Sequence, residues 1–335
     1  MFHPCTDPII FLASTVIKGM LMKFSHLFGP VCSRRLGRSL GIDLVPFKTC
    51  TYDCVYCECG HTTHKGTDRK EFFPVSEVLS ELDAYLSGGP ALDFITFSGS
   101  GEPTLSTSVG EVIRYLKREF PSYRVAVLTN GSLFSLPEVR EDLLLADVVL
   151  PTLSTVHEET FRTIHHPAKD LSLKSILNGI EQFRREYRGE IWLEVFIIPG
   201  VNTSDKELSG LADEIRRIRP DRIQLNTLDR PGPAEWVKPA GPGELSRIQA
   251  FLGVPDTEAI HSSHHESPFS PDESDPSQTI CELIRRRPCT VDDIAQTTGL
   301  HRNEVLKLLR TIESEHQLLV KREKRGVFYF LRDNP

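Results

Sequence analysis

The segment Cys50-Thr-Tyr-Asp-Cys54-Val-Tyr-Cys57 places three thiols at CxxxCxxC spacing, with an aromatic residue, Tyr56, directly before the last thiol. A loop of this length can aim three sulfurs at one point, which suits three corners of a cubane iron–sulfur cluster. A zinc site normally closes with a fourth Cys or His, whereas a cluster on three thiolates leaves one iron open for a ligand. The alternative is a zinc or redox loop completed by a nearby side chain, namely Cys59, His61 or His64.

The composition is that of an ordinary soluble protein with room for one large domain and one small domain. The formal net charge of −7 argues against a surface that coats nucleic acid generally. Of the eight cysteines, three lie in the motif and five are scattered, which is not the pattern of a disulfide framework. We therefore expect a cytoplasmic protein whose thiols serve as metal ligands.

Residues 1–23 precede the globular pattern, which begins at Phe24. The stretch 9–22 is fairly apolar, but it is too short to cross a bilayer and lacks the basic lead and cleavage site of a signal peptide. We therefore expect no membrane association, and we interpret residues 1–23 as an N-terminal extension, with translation starting at Met20 or Met22. A mass spectrum of the native protein that showed Met1 would contradict this start.

Strand-like apolar runs alternate with amphipathic helical stretches over residues 24–257. Six runs are predicted as strands: 41–45, 93–97, 124–129, 147–153, 191–198 and 222–227. Helical periodicity predicts helices at 76–87, with Ser76 as N-cap, and at 109–120, 172–187, 205–218 and 244–252. Such alternation predicts an α/β fold with a parallel sheet, here a partial (β/α)6 TIM-like barrel whose chemistry lies at the carboxyl ends of the strands.

Each of the five later predicted strands ends in a cluster of small or polar residues, at 98–104, 129–132, 151–154, 199–202 and 226–230. Any one of these clusters is compatible with an ordinary turn, because Gly, Pro, Asn and Ser are typical turn residues. Five of them at one edge of a sheet favour a binding site. The loop-like run 28–40 adds Arg34, Arg35 and Arg38, which suit either a solvated surface or a grip on an anionic substrate group.

The C-terminal part of the chain changes in character. Residues 258–276 have almost no apolar content and predict a flexible linker, with a metal-binding role for His261, His264 and His265 as a minor alternative. Residues 277–335 predict helices at 280–287, 290–298 and 301–315, followed by a hairpin of strands 318–322 and 327–331. Together these elements predict a winged helix-turn-helix domain. Residues 301–332 carry a local charge of +4, which favours nucleic acid, while a peptide or protein partner is the alternative.

The cysteine motif resembles the signature of the radical S-adenosylmethionine (radical SAM) superfamily, in which SAM chelates the open iron. Gly99-Ser-Gly-Glu102-Pro103 resembles the glycine-rich loop that meets the amino group of SAM, with a serine where the usual motif doubles the glycine. The run 128–132 is similar to the strand-end element that meets the ribose. With 28–63, 194–202 and 223–231, these segments resemble the wyosine-synthase-like branch, often described as iron–sulfur oxidoreductases.

The chain departs from that branch in three features. The wyosine enzyme carries a second cluster on three further N-terminal cysteines, whereas only Cys5 and Cys32 precede the motif here. It also uses a lysine to capture pyruvate; Lys48 lies near the motif, but no residue pattern identifies it as the equivalent lysine. The predicted winged helix is an additional element. The resemblance therefore specifies the superfamily more closely than it specifies the substrate.

The resemblance implies a 4Fe–4S cluster and SAM as cofactors, with Cys50, Cys54 and Cys57 as the ligands of the cluster. The residues expected to contact SAM are Tyr56, Gly99, Ser100, Gly101, Glu102, Asn130 and Ser154. Candidates for substrate contact are Arg35, Asp43 and Lys48. The implied reaction is reductive cleavage of SAM to a 5′-deoxyadenosyl radical, with electrons from a donor such as flavodoxin or ferredoxin.

Three functional hypotheses follow. The first is a radical SAM enzyme that modifies RNA, such as tRNA, and docks it on the winged helix. The second is the same enzyme acting on a protein or peptide held by that domain. The third is an iron–sulfur redox sensor whose winged helix binds DNA, although this hypothesis leaves the five strand-end clusters unexplained.

Overall fold

A computed structural model describes residues 24–254, 256–260, 276–315 and 318–331. In the first part, in chain order, the strands and helices are β1 (Leu27–Ser33), β2 (Gly37–Ile42), β3 (Thr49–Cys50), β4 (His64–Lys65), α1 (Val75–Leu86), β5 (Phe94–Phe97), α2 (Val109–Glu119), β6 (Arg124–Thr129), α3 (Pro137–Leu143), β7 (Val148–Pro151), α4 (Glu158–His165), α5 (Leu173–Glu186), β8 (Glu190–Ile197), α6 (Asp205–Ile218), β9 (Arg222–Thr227), α7 (Pro242–Leu252) and β10 (Thr257–Ala259). A 3₁₀ turn, Pro103–Leu105, lies between β5 and α2. The expectations for residues 1–23 and for His261, His264 and His265 lie outside the described residues.

One large sheet organises the first part of the chain, in the order β1-β2-β5-β6-β7-β8-β9-β10. From β2 to β10 every neighbouring pair is parallel, as the alternation of strands and helices predicted. Strands β1 and β10 are the two edges of this sheet, so the barrel is partial. The six predicted strands correspond to β2 and to β5–β9, and the structure adds one strand at each edge.

The prediction of a loop at 28–40 was wrong. Strands β1 and β2 form an antiparallel hairpin there, and the first barrel strand lies at Gly37–Ile42 rather than at 41–45. The run 28–40 is rich in Gly, Ser and Arg and lacks apolar alternation, so its own propensity for strand is low. Its extended conformation comes from hydrogen bonding along β2, which local sequence patterns do not report.

The core has two layers because strand side chains alternate between faces. One face of the sheet packs against the helices in a single large cluster, to which Val125, Val127 and Val149 belong. The other face, inside the barrel, carries a smaller apolar cluster of Leu36, Phe94, Ala126, Val148, Leu150 and Trp192. This cluster fills the amino-terminal end of the barrel, so the polar interior residues further along the strands lie towards the carboxyl ends.

The helices agree with the predictions in place and differ at their ends. The N-cap of α1 is Pro74 rather than Ser76, and the Glu71 carboxylate accepts the Val75 N–H at 2.9 Å at the start of the helix. Two short helices, α3 and α4, were not predicted, since 7 and 8 residues carry little periodicity. Helix α6 spans the predicted residues, and the Ser204 hydroxyl accepts a hydrogen bond from the Glu207 N–H at its start.

The C-terminal unit comprises α8 (Pro276–Arg286), β11 (Cys289–Thr290), α9 (Val291–Thr298), α10 (Arg302–Glu315), β12 (Leu318–Glu323) and β13 (Gly326–Leu331). Its strands form a sheet in the order β11-β13-β12, and its helices bury a core of their own around Ile284, Ile294 and Ile312. The three predicted helices and the predicted hairpin are present. Strand β10 runs two residues past the predicted boundary at 257, because it pairs with β9.

Within the described ranges, no helix has the length and apolar character needed to span a bilayer.

Candidate active site

The cysteine loop is held in place by the end of α4. The Asp53 N–H donates to the His165 carbonyl at 2.9 Å, and the Val55 N–H donates to the Ile164 carbonyl at 3.0 Å. On its other side, Cys50 ends the short strand β3, which pairs with β4. The loop therefore takes its path from backbone groups more than a hundred residues away, on a helix that the sequence did not predict.

The three motif thiols differ in their surroundings. The Cys50 sulfur accepts the Tyr52 N–H at 3.5 Å, and burial together with the Glu102 carboxylate raises the pKa of this thiol to about 12. Burial and the two neighbouring thiols raise the pKa of Cys54 well above its usual range. A hydrogen bond from Cys59 lowers the pKa of Cys57 to about 7. The charge of another motif thiol therefore acts on Cys50 and on Cys54, which places the three thiols near one another.

His165 is a site residue that the sequence analysis missed. Its Nδ1 lies 3.3 Å from the Cys54 sulfur, and its ring packs between Tyr52, Tyr56 and Phe161. Burial, and to a lesser extent His166, lowers the pKa of His165 to about 3, so the ring is neutral at physiological pH. A single histidine at the end of a short helix carries no sequence signal, and only the fold brings it to the cysteine loop.

Tyr56 lies against the barrel wall rather than facing solvent. Its ring stacks on Phe196 of β8 with a centroid separation of 3.7 Å and an interplanar angle of 9°. Val55, Ile198 and Val237 complete the apolar cluster around the pair. This packing fixes the Cys54–Cys57 half of the loop, since Tyr56 precedes Cys57 directly. The predicted contact of Tyr56 with SAM stays a prediction.

The glycine-rich loop after β5 lies directly against the segment that leads into Cys50. Gly99 has a φ of +121°, and a Cβ there would lie 2.3 Å from Asp43 Oδ1. A Cβ at Gly101 would lie 2.0 Å from the Thr49 carbonyl oxygen. The Lys48 N–H donates to the Ser100 carbonyl at 2.7 Å, and the Glu102 N–H donates to the Thr49 carbonyl at 3.0 Å. Both glycines are therefore required by close approach of the protein's own chain.

Glu102 and Asn130 join the ends of β5 and β6 to the cysteine loop. The buried Glu102 carboxylate accepts hydrogen bonds from the Asn130 N–H at 2.7 Å, the Thr129 hydroxyl at 2.7 Å, and the N–H and hydroxyl of Thr104. Burial raises the pKa of Glu102, although these hydrogen bonds oppose the shift. The Asn130 amide donates to Thr51 Oγ1 at 2.7 Å and to the Cys50 sulfur at 3.6 Å. Hydrogen bonds to cluster sulfurs tune the potential of a cluster.

A second polar centre lies inside the barrel on β8. Glu194 pairs with Arg35 at 2.8 Å and accepts hydrogen bonds from Asn226 at 2.7 Å and Thr152 at 2.8 Å. Burial by itself raises the pKa of Glu194, but Arg35 and the two hydrogen bonds outweigh it, so the pKa is lowered. Its signal in the sequence is a lone acid between Leu193 and Val195. Arg35, predicted to contact substrate, is engaged in this pair.

Ser154 and Lys48 also lie in the interior of the fold. The Ser154 hydroxyl accepts the Phe196 N–H at 3.1 Å, which links the end of β7 to β8. Lys48 is buried with a left-handed φ of 63°, and its ammonium lies 5.2 Å from the Phe47 ring centroid. After the hydrogen bond with Cys59, the charge of Lys48 also helps to lower the pKa of Cys57. The hydrogen bond to Cys57 and burial raise the pKa of Cys59, and the charge of Lys48 opposes that rise. Asp43, the third predicted substrate contact, pairs with Arg286 of the C-terminal unit.

Arginine–carboxylate pairs connect the cysteine loop with the C-terminal unit. Arg230, which follows β9, has its Nε 3.2 Å from Glu58 Oε2, and its Nη1 donates to Asp293 of α9 at 2.6 Å. Arg34 lies 3.6 Å from Glu58 and 3.4 Å from Asp229. Arg325, between β12 and β13, pairs with Asp229 at 2.6 Å and with Asp293. Glu58 directly follows Cys57, so these ion pairs connect the end of the cysteine loop with the C-terminal unit.

Comparisons with known proteins relate the chain to a family. The family model of the radical SAM superfamily matches residues 44–212. A UPF0026 protein of Helicobacter pylori is 36% identical, over 90% of this chain and 96% of that protein. A Brachyspira hyodysenteriae protein named GTPase Obg is 35% identical over 87% of this chain. The match covers 43% of the Brachyspira protein, so this chain spans less than half the length of that relative. A radical SAM methyltransferase from Sphaerobacter thermophilus shares the fold, with a TM-score of 0.52 and 18% identity over 66% of this chain and 65% of that one.

The chain therefore belongs to the radical SAM superfamily, whose members bind a 4Fe–4S cluster and S-adenosylmethionine. The residues present fit the cluster: three thiols share one loop, and an amide N–H and a backbone N–H donate to the Cys50 sulfur. In the described parts of the chain, no three Cys, His, Asp or Glu side chains are placed to hold one metal ion. The thiolates of a cubane ligate separate irons, so they need not converge in that way.

Proposed function

We propose that the protein cleaves SAM reductively at a 4Fe–4S cluster held by Cys50, Cys54 and Cys57. The observation that supports this most directly is the convergence on the cysteine loop of the two strand ends that follow it. The glycine-rich loop bonds to the backbone of Lys48 and Thr49, and the Asn130 amide contacts both Cys50 and Thr51. A loop built only to close a zinc site would not need these neighbours.

The chain's own residues position and shield the reacting groups. When bound, the cluster and SAM supply reductive cleavage of the sulfonium carbon–sulfur bond and a 5′-deoxyadenosyl radical that removes a hydrogen atom from substrate. The Tyr56–Phe196 stack and neutral His165 exclude water behind Cys54 and Cys57. The Arg35–Glu194 pair places two opposite charges in the barrel interior, where a polar substrate or the polar groups of SAM would be held.

The substrate class we propose is RNA, docked on the C-terminal unit acting as a winged helix. The order of three helices and a three-stranded sheet supports this reading, as do the exposed cations Lys307 and Arg310 on α10 and Arg322 and Lys324 at the hairpin. Modification of tRNA and membership of the wyosine-synthase-like branch are the finer parts of the same proposal. We further propose a cytoplasmic location and an electron donor such as flavodoxin or ferredoxin.

A single assay tests the activity and the substrate class. The full chain is reconstituted without oxygen and given SAM and dithionite, and 5′-deoxyadenosine is quantified with and without total cellular RNA. We expect deoxyadenosine in both cases and more of it with RNA. The charge reversals Lys307→Glu and Arg310→Glu should remove the stimulation by RNA while leaving the basal rate. Arg188→Glu, on the barrel, is the matched control and should keep the stimulation.

The other outcomes point to the remaining hypotheses. Deoxyadenosine that forms without any response to RNA would move the search to protein or peptide substrates. No deoxyadenosine from a fully loaded cluster would contradict the proposed function. In that case, loss of DNA binding in Cys57→Ala would favour an iron–sulfur sensor.

A further inference from the structure

An arginine of the C-terminal unit contacts two side chains that touch the glycine-rich loop of the barrel. Arg286, the last residue of α8, pairs through Nη1 with Asp43 Oδ2, across 243 positions of sequence. Its guanidinium also lies 4.1 Å from the centroid of the Phe28 ring. Asp43 stands directly after β2, and Phe28 lies on β1. Arg286 thus contacts one residue on β1 and one residue directly after β2.

Both groups that Arg286 contacts also touch the loop after β5. Asp43 uses one oxygen for Arg286 and the other, Oδ1, to accept the Ser100 N–H at 3.3 Å. The Phe28 ring lies so close to Gly99 that a Cβ there would be 3.2 Å from it. Asp43 and Phe28 therefore both pack against the backbone of Gly99 and Ser100, and Arg286 contacts both of these side chains.

The charge of Arg286 matters because Asp43 is buried. Burial raises the pKa of Asp43, and Arg286 and the Ser100 N–H act in the opposite direction. Without the guanidinium, the carboxylate would lose its counter-charge in a site with little access to water. It would then take up a proton or move towards solvent, and either change weakens its hold on Ser100.

We propose that Arg286 is a positioning residue for SAM, so that the C-terminal unit completes the cofactor site of the barrel in addition to any role in docking substrate. This inference rests on the proposed function, because it takes the Gly99–Gly101 backbone as a contact of SAM. It also predicts that removal of the whole C-terminal unit weakens SAM binding even when no substrate is present. A truncation is therefore not a test of substrate docking alone.

The test measures SAM binding to the full chain with its cluster reconstituted. In Arg286→Gln we expect the dissociation constant for SAM to rise about tenfold, with a smaller change in the rate of deoxyadenosine formation at saturating SAM. Arg286→Lys keeps the charge and should recover part of the affinity. The matched control is Arg285→Gln, an exposed arginine one residue away, which should bind SAM as the wild type does.

A second measurement does not depend on the cofactors. Hydrogen exchange of peptides covering 98–104 in the full chain should be faster in Arg286→Gln than in the wild type and Arg285→Gln. If Arg286→Gln is too unstable to handle, Asp43→Asn with Arg286→Gln removes both charges and leaves no unpaired ion. This double variant should show the same loss of SAM affinity.

The role of Arg286 and the cleavage of SAM would be contradicted by different results. Wild-type affinity and wild-type exchange in Arg286→Gln, or in the double variant, would overturn the role of Arg286 while leaving SAM cleavage intact. A wild-type protein that neither binds nor cleaves SAM would overturn the proposed function, and the positioning of SAM with it.

Discussion

On one side of the barrel mouth the cysteine loop packs against aromatic rings and a neutral histidine, whereas around the remainder arginines pair with buried or half-buried carboxylates. The paired arginines are Arg34, Arg35, Arg230, Arg286 and Arg325, and their partners are Asp43, Glu58, Glu194, Asp229 and Asp293. The first region shields Cys54 from water with apolar and neutral side chains. The second holds the edges of an open barrel and the C-terminal unit together.

The two regions should respond differently to substitution. Loss of a cysteine or of a group that touches one changes the metal site and leaves the fold largely intact. Loss of one member of a buried ion pair leaves the other charge without a partner, which affects folding more than metal binding.

The largest effect is expected at the cysteine loop. Cys54→Ser removes one of three ligands and should abolish both the visible absorption of the reconstituted cluster and the formation of deoxyadenosine. Cys59→Ser is the matched control: it removes a thiol outside the CxxxCxxC spacing but keeps a hydroxyl that can donate to Cys57, so this variant should keep both. A Cys59→Ser protein that failed to take up iron would instead support the loop closed by a fourth side chain.

The next effect is on stability. Arg230 is buried between Glu58 and Asp293, and its removal leaves two carboxylates without their shared cation. Arg230→Gln should lower the free energy of unfolding by about 3–5 kcal/mol, measured by urea denaturation of the protein without its cluster. For the control Arg216→Gln, whose pair with Asp213 is exposed, the change should be about 0–1 kcal/mol. Equal effects of the two variants would contradict the contrast between the regions.

The third prediction concerns His165, the neutral histidine beside the cysteine loop. His165→Leu removes the ring nitrogen beside the Cys54 sulfur and should speed the loss of iron to a chelator by roughly 10–100-fold. Its unfolding free energy should change less than that of Arg230→Gln. His64→Leu, an exposed histidine on β4, serves as the control and should release iron at the wild-type rate.

The smallest effect concerns pH. Burial alone raises the pKa of Asp293, but Arg230, the Thr290 N–H and Arg325 outweigh it and lower the pKa to about 2. A carboxyl with a lowered folded-state pKa stabilises the fold above its unfolded pKa, and this contribution is lost as the pH falls towards the folded value. The difference in unfolding free energy between wild type and Asp293→Asn should therefore shrink by on the order of 2 kcal/mol between about pH 5 and pH 2. A difference that stayed constant over this range would show that Asp293 acts through its helix cap alone.

Sequence patterns predicted the repeating part of the fold well. The strands β5–β9 and the long helices α2, α5 and α6 were predicted within two residues of their ends, since apolar periodicity over many residues reports burial directly. The hairpin β1–β2 and the short helices α3 and α4 were not predicted. They depend on pairing and packing with distant elements, which leave little periodicity in their own residues.

The site divides in the same way. By itself, the sequence indicated the three thiols by their close spacing in one loop, and resemblance to the superfamily pointed to the glycine-rich loop and Asn130. Only the tertiary structure decided that His165 touches Cys54, that Glu194 pairs with Arg35, and that Arg286 pairs with Asp43. These contacts join residues that lie 111, 159 and 243 positions apart. No local pattern encodes such a contact, because its partners meet only when the sheet has closed around them and the C-terminal unit has docked.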